Sequence, residues 1–119
     1  MRNQIGVFIV ALVLSAAVLA ATPAGNAANG KKLYVANCQS CHGVGAVGVT
    51  GLGPVLKGEV AGWKFEFFKR AVLSGVDDVG KVLATAMPRF GKVGLTDPKG
   101  KIPTETQLRD LQAYLKTLK

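Results

Sequence analysis

Apolar positions along this chain change their period from block to block. The first block is continuous: Ile5 to Ala21 reads IGVFIVALVLSAAVLAA without a charge. From Ala28 to Asn37 the pattern predicts a short helix with Asn29 as N-cap and Gly30 and Tyr34 on one face. A second helix is predicted from Gly62 to Leu73, where Phe65, Phe68 and Val72 fall at i, i+3 and i+7 and Ser74-Gly75 supplies the stop. The last helix has the clearest stripe, with Leu108, Leu111, Leu115 and Leu118 at i, i+3, i+7 and i+10. Thr104 and Gln107 form a capping box before it, and Lys116 and Lys119 suit its C-terminal dipole. Between the helices lie a Gly-rich loop over 43–54, an irregular stretch over 76–85 and a turn-rich stretch over 95–103. No long β-alternation and no internal repeat occurs, so the fold class is all-α.

The continuous block changes the picture of the whole chain. A positive start, Met1-Arg2-Asn3-Gln4, precedes it, and the small residues Thr22 to Ala28 follow. That order is the pattern of a secretory signal peptide, expected over residues 1–27 with cleavage between Ala21 and Ala28. The alternative is an uncleaved membrane anchor, for which the run is slightly short of the about 20 residues a span needs. Either way residues 28–119 form one domain, placed in a periplasm or on the outer face of a plasma membrane. Membrane contact is expected only if the segment stays attached. The formal charge of +8 falls by one with Arg2, and a basic domain remains. The excess suits solubility or docking to an acidic protein partner. Nucleic acid is excluded as a partner: the chain is exported and has no dense Lys/Arg run or binding motif.

Candidate chemistry gathers in Cys38-Gln39-Ser40-Cys41-His42. On a helix, positions 38, 41 and 42 share a face. Two thiols there suit the two vinyl groups of one porphyrin, and the imidazole beside them suits its iron. C-x-x-C-H is the attachment pattern of a c-type haem. A redox dithiol would want a βαβ pattern, which is absent. Zinc would want a further Cys or His, and the motif already uses both Cys and the sole His of the chain. Gly43 to Gly48 formally matches a dinucleotide fingerprint, G-x-G-x-x-G, but follows a helix rather than a strand, so the match is rejected.

Met87, in Ala86-Met87-Pro88, is the only methionine besides Met1. Core packing is the ordinary role of a Met. With the sole His committed to one side of the iron, Met87 is the thioether left for the other side. Trp63 is either a core residue or a donor to a haem propionate.

CQSCH, Gly53-Pro54, Met87-Pro88 and the terminal LQAYLKTL helix, taken in that order, resemble the class I c-type cytochromes over residues 30–119. The resemblance implies a small helical domain wrapped around one covalently attached haem c. It implies thioether bonds from Cys38 and Cys41, His42 as proximal ligand and Met87 as distal ligand. It also implies that the Pro54 carbonyl accepts the free ring N–H of His42, and that Gly30, Tyr34, Leu111 and Tyr114 mark a crossing of the first and last helices. The activity implied is outer-sphere electron transfer between respiratory or dehydrogenase partners, not enzymatic turnover. A haem enzyme subunit or sensor with an exchangeable sixth ligand is the alternative.

Overall fold

The computed structural model describes residues 6, 9–13 and 24–119. Most of the expected leader therefore lies outside the described residues. The described chain forms α1 (Ala27–Asn37), α2 (Gln39–His42), α3 (Phe65–Ser74), α4 (Phe90–Val93) and α5 (Glu105–Thr117). Short 3-10 turns occupy Val44–Ala46 and Val60–Gly62. Among the described residues only isolated bridges, Val49 with Gly53 and Val76 with Val82, occur in place of strands. The all-α expectation holds.

The first and last helices cross, and their contact organises the core. Tyr34 of α1 meets Tyr114 of α5 with ring centroids 5.3 Å apart and planes tilted by 49°. Gly30 makes the approach possible: a Cβ there would collide with the Asp110 carbonyl and the Tyr114 Cβ. Tyr34, Leu108 and Leu115 are fully buried, with Leu111 and Phe68 beside them. Full burial of such a Leu contributes about 1.5–3 kcal/mol relative to exposure. Phe65 and Val72 are half-buried against this cluster, so the expected stripe of α3 faces inward.

Two helix starts differ from the sequence reading. Asn26, not Asn29, caps α1: its side-chain oxygen accepts the Asn29 N–H at 3.0 Å. The reason is tertiary, because the Asn26 N–H donates to the Asp110 carboxylate of α5 at 2.7 Å and thereby draws one more residue into the helix. The helix expected from Gly62 begins at Phe65 instead. Trp63 and Lys64 are extended, and Gln112 of α5 donates to the Trp63 carbonyl at 2.8 Å, an oxygen that a continuous helix would have used internally. The capping box of α5 forms as expected, through Thr104 and Gln107.

Candidate functional site

The CQSCH stretch does not lie in one unbroken helix. Cys38 is the joint between α1 and α2, with φ −125° and ψ −33°. The turn nevertheless keeps the helical relation: the His42 N–H donates to the Cys38 carbonyl at 3.0 Å. Asn37 explains the break. Its amide donates to the Leu33 and Asp97 carbonyls while its oxygen accepts the N–H groups of Thr96 and Asp97. The end of α1 is thus tied to a loop some sixty residues away in sequence.

Both thiols are free, Cys38 half-buried and Cys41 exposed. Burial first, and then the neighbouring Cys41, pushes the Cys38 thiol up to about 12. An activated redox thiol would be shifted the other way. Among the described residues no group of His, Cys, Asp and Glu is arranged to hold a metal ion by itself.

His42 is buried, at 6% exposure. Its Nδ1 lies 2.8 Å from the Pro54 carbonyl oxygen. A carbonyl only accepts, so Nδ1 carries the proton and Nε2 is left as the basic ring nitrogen. The Gly-rich loop folds back to make this contact. The Gly48 N–H donates to the His42 carbonyl at 2.7 Å, and Val49 and Gly53 exchange backbone bonds at 2.9 and 3.1 Å. Gly53 is needed for the close approach, because a Cβ there would stand 2.6 Å from the Cys41 carbonyl oxygen and 3.1 Å from His42 Nδ1. Tyr34 fixes the other end, its hydroxyl donating to the Gly43 carbonyl just past His42. Nothing in the local pattern announced this contact, or that of Asn37, since each reaches a loop whose path depends on the fold.

The fold thus brings Cys38, Cys41, His42 and Pro54 together. Met87 stands elsewhere in the chain, half-buried on the loop between α3 and α4, where its N–H closes a turn on the Ala84 carbonyl at 3.1 Å. The indole N–H of Trp63 is buried with no hydrogen-bond partner among the described residues. A buried donor left in that state costs about 1–3 kcal/mol, which a carboxylate of a bound group would relieve.

These features fit a covalently held haem. The site itself contains two unpaired thiols and an imidazole with one ring nitrogen already engaged; elsewhere the chain offers a thioether at Met87 and a buried donor at Trp63. No solved structure matches the chain. A family model described as cytochrome c oxidase, cbb3-type, subunit III matches residues 25–115, from the start of α1 to near the end of α5. The match covers most of the 119 residues, and the chain belongs to this family of c-type cytochrome domains, which transfer electrons through a covalently bound haem c.

Proposed function

We propose that this protein is an exported single-haem electron carrier. Cys38 and Cys41 would hold the haem through thioether bonds, with His42 Nε2 as proximal ligand and Met87 as the distal one. The observation that carries the reading is the hydrogen bond from His42 Nδ1 to the Pro54 carbonyl, 2.8 Å long. It leaves Nε2 as the ligating nitrogen, fixes the ring plane and raises the basicity of the imidazole. When bound, the haem supplies a one-electron Fe(III)/Fe(II) couple. Burial of His42 keeps water from the proximal side. Trp63 offers its buried N–H to a propionate. The thioether of Met87 would favour the reduced state and leave no open position on the iron, as a carrier requires.

The partners are redox proteins with acidic docking faces. Among the described residues the only ion pair is Arg109 with Glu105, at 3.4 Å. Lys31, Lys32, Lys64, Lys81, Lys92, Lys99, Lys101 and Lys116 are all exposed, with no carboxylate partner among the described residues. A second reading is favoured by the family match: the domain delivers electrons as a subunit of an oxidase complex. Both readings take residues 1–27 as the exporting segment, cleaved in a free carrier and retained in an anchored subunit.

Mass spectrometry and absorption spectroscopy of the exported protein test the proposal together. The expected result is one haem added, no free thiols, and a weak near-infrared sulfur-to-iron band in the ferric state. A mature chain with a Cys38–Cys41 disulfide and no haem would overturn it. Ready carbon monoxide binding by the unaltered protein, with no near-infrared band, would replace the carrier with an enzyme or sensor.

A further inference from the structure

We propose that Arg89 is the positioning residue for Met87, its guanidinium gathering the carbonyls of the loop that carries the thioether. The proposal rests on the distal role of Met87 given above. One terminal nitrogen of Arg89 donates to the carbonyls of Met87, at 2.6 Å, and Ala84, at 2.9 Å, and the other donates to the Leu83 carbonyl at 2.7 Å. The three oxygens bracket the turn on which Met87 stands.

The loop has little else to hold it. Val79 and Val82 point outward at 82% and 69% exposure, and Ala84, Thr85, Ala86 and Pro88 are exposed as well. From Ala84 to Pro88 only Met87 itself is half-buried, so apolar anchoring of this stretch is weak. Pro88 has no N–H to contribute. Over residues 83–88 the remaining backbone ties are the Leu83 N–H to the Gly75 carbonyl at 2.8 Å and the Met87 N–H to the Ala84 carbonyl, while upstream Asp77 and Gly80 donate to the Lys81 and Asp77 carbonyls beside the Val76–Val82 bridge. Asp77 closes its own turn upstream by accepting from the Val79 and Lys81 amides, and does not reach the Met87 turn.

Arg89 itself is firmly based. It is the N-cap of α4, and its carbonyl accepts from the Lys92 and Val93 amides at 2.8 and 3.1 Å. The next residue, Phe90, is buried at 4% exposure. The Arg89 side chain lies against Gly75 at the end of α3, where a Cβ would overlap its guanidinium. The clamp thus has its stem on the packed α3–α4 unit and its fork on the otherwise exposed loop. A planar fork that satisfies three carbonyls is specific to Arg; the ammonium of Lys is a point charge on a flexible stem.

The test uses the ferric haem-loaded protein, with imidazole as an external ligand competing for the sixth position. Arg89→Ala should raise imidazole affinity by about tenfold or more and weaken the near-infrared band, as expected when at least one net hydrogen bond holding the loop closed is lost. Arg89→Lys should fall between the two. Thr104→Ala, which removes the cap of α5 far along the chain, is the control for general destabilisation. Imidazole affinity of Arg89→Ala within twofold of the unaltered protein, or raised equally by Thr104→Ala, would overturn the clamp. Absence of the near-infrared band in the unaltered protein would instead overturn the distal role of Met87. Amide exchange at Leu83 and Met87 then decides the clamp alone: exchange about tenfold faster in Arg89→Ala supports it, and unchanged exchange refutes it.

Discussion

At the scale of the residue, the proximal hydrogen bond and the distal thioether carry separate predictions. Gly53→Ala places a methyl group against the Cys41 carbonyl and His42 Nδ1, so the Pro54 carbonyl must move away. The expected cost is about 1–3 kcal/mol in unfolding free energy, measured by denaturant titration. The reduction potential should also shift as the imidazole loses its acceptor, because that bond sets its basicity. Met87→Ala should open the sixth position to carbon monoxide and lower the potential, whereas Met87→His should restore closure while keeping the potential low. Retained resistance to carbon monoxide in Met87→Ala would exclude Met87 as the ligand. Tyr34 gives a pH dependence of definite sign. In the haem-free chain burial first, then the Cys38 thiol and Tyr114, raises its phenol from 10.0 to about 12, against a smaller lowering from the Ala46 backbone; a thioether at Cys38 would remove the thiol's share and leave burial as the main cause. The fold favours the neutral phenol, so its contribution is fully present below pH 10 and is lost as pH rises towards about 12. Two pH units correspond to about 2–3 kcal/mol. Tyr34→Phe should flatten alkaline unfolding curves over that window, and an unaltered slope would assign the loss to other groups.

At the scale of the element, the decisive contacts are those between α1 and α5. The Asp110 carboxylate is buried at 6% exposure yet satisfied, because it accepts the Asn26 N–H beside the N-terminus of α1. Its charge also opposes the positive end of the helix dipole. Asn26→Ala should cost about 0.5–2 kcal/mol through the lost cap. Gly25 belongs to the same arrangement, since a Cβ there would meet the Arg109 carbonyl. We therefore expect a processed chain to begin no later than Gly25, upstream of the Ala27 junction that the small-residue pattern favours. N-terminal sequencing checks this, and a mature protein starting at Ala28 with undiminished stability would refute it. The leucine stripe and capping box of α5 were legible because they are local. The start of α1 was not, because Asn26 is recruited by an acidic side chain eighty-four positions away.

At the scale of the molecule, the proposed encounter with redox partners turns on charge. With most lysines exposed and a lone ion pair among the described residues, the surface presents a positive field to an approaching partner. Screening shortens its reach to about 10 Å at 0.1 M salt. The second-order rate of electron exchange with an acidic partner should therefore fall as salt rises, read by stopped-flow absorbance. A rate flat across ionic strength would leave the lysines to solubility. The same experiment with a neutral small-molecule reductant should show little salt dependence, separating steering from any change in the haem itself.

The covalent chemistry was written into the chain. Cys38, Cys41 and His42 are spaced so that any helical turn brings them together, and the inventory of a single His and a lone Met outside the leader left few choices of ligand. The all-α class followed from stripes at helical period in α3 and α5, a property that each segment carries by itself. What only the tertiary structure decided are the groups that act across long separations. The family resemblance implied the Pro54 carbonyl as acceptor for His42, but the contact is built by the fold, because the glycine loop folds back under backbone bonds that no local pattern specifies. Asn37 breaks the CQSCH helix because it serves a loop at Thr96 and Asp97. Arg89, two residues beyond Met87, reads in sequence as one more surface cation. It becomes a clamp only when α3 and α4 pack and leave Gly75 bare beneath it. The physical reason is the same in each case: residue type and spacing fix what a side chain is able to do, whereas its partner is set by chain segments that meet only when the core closes.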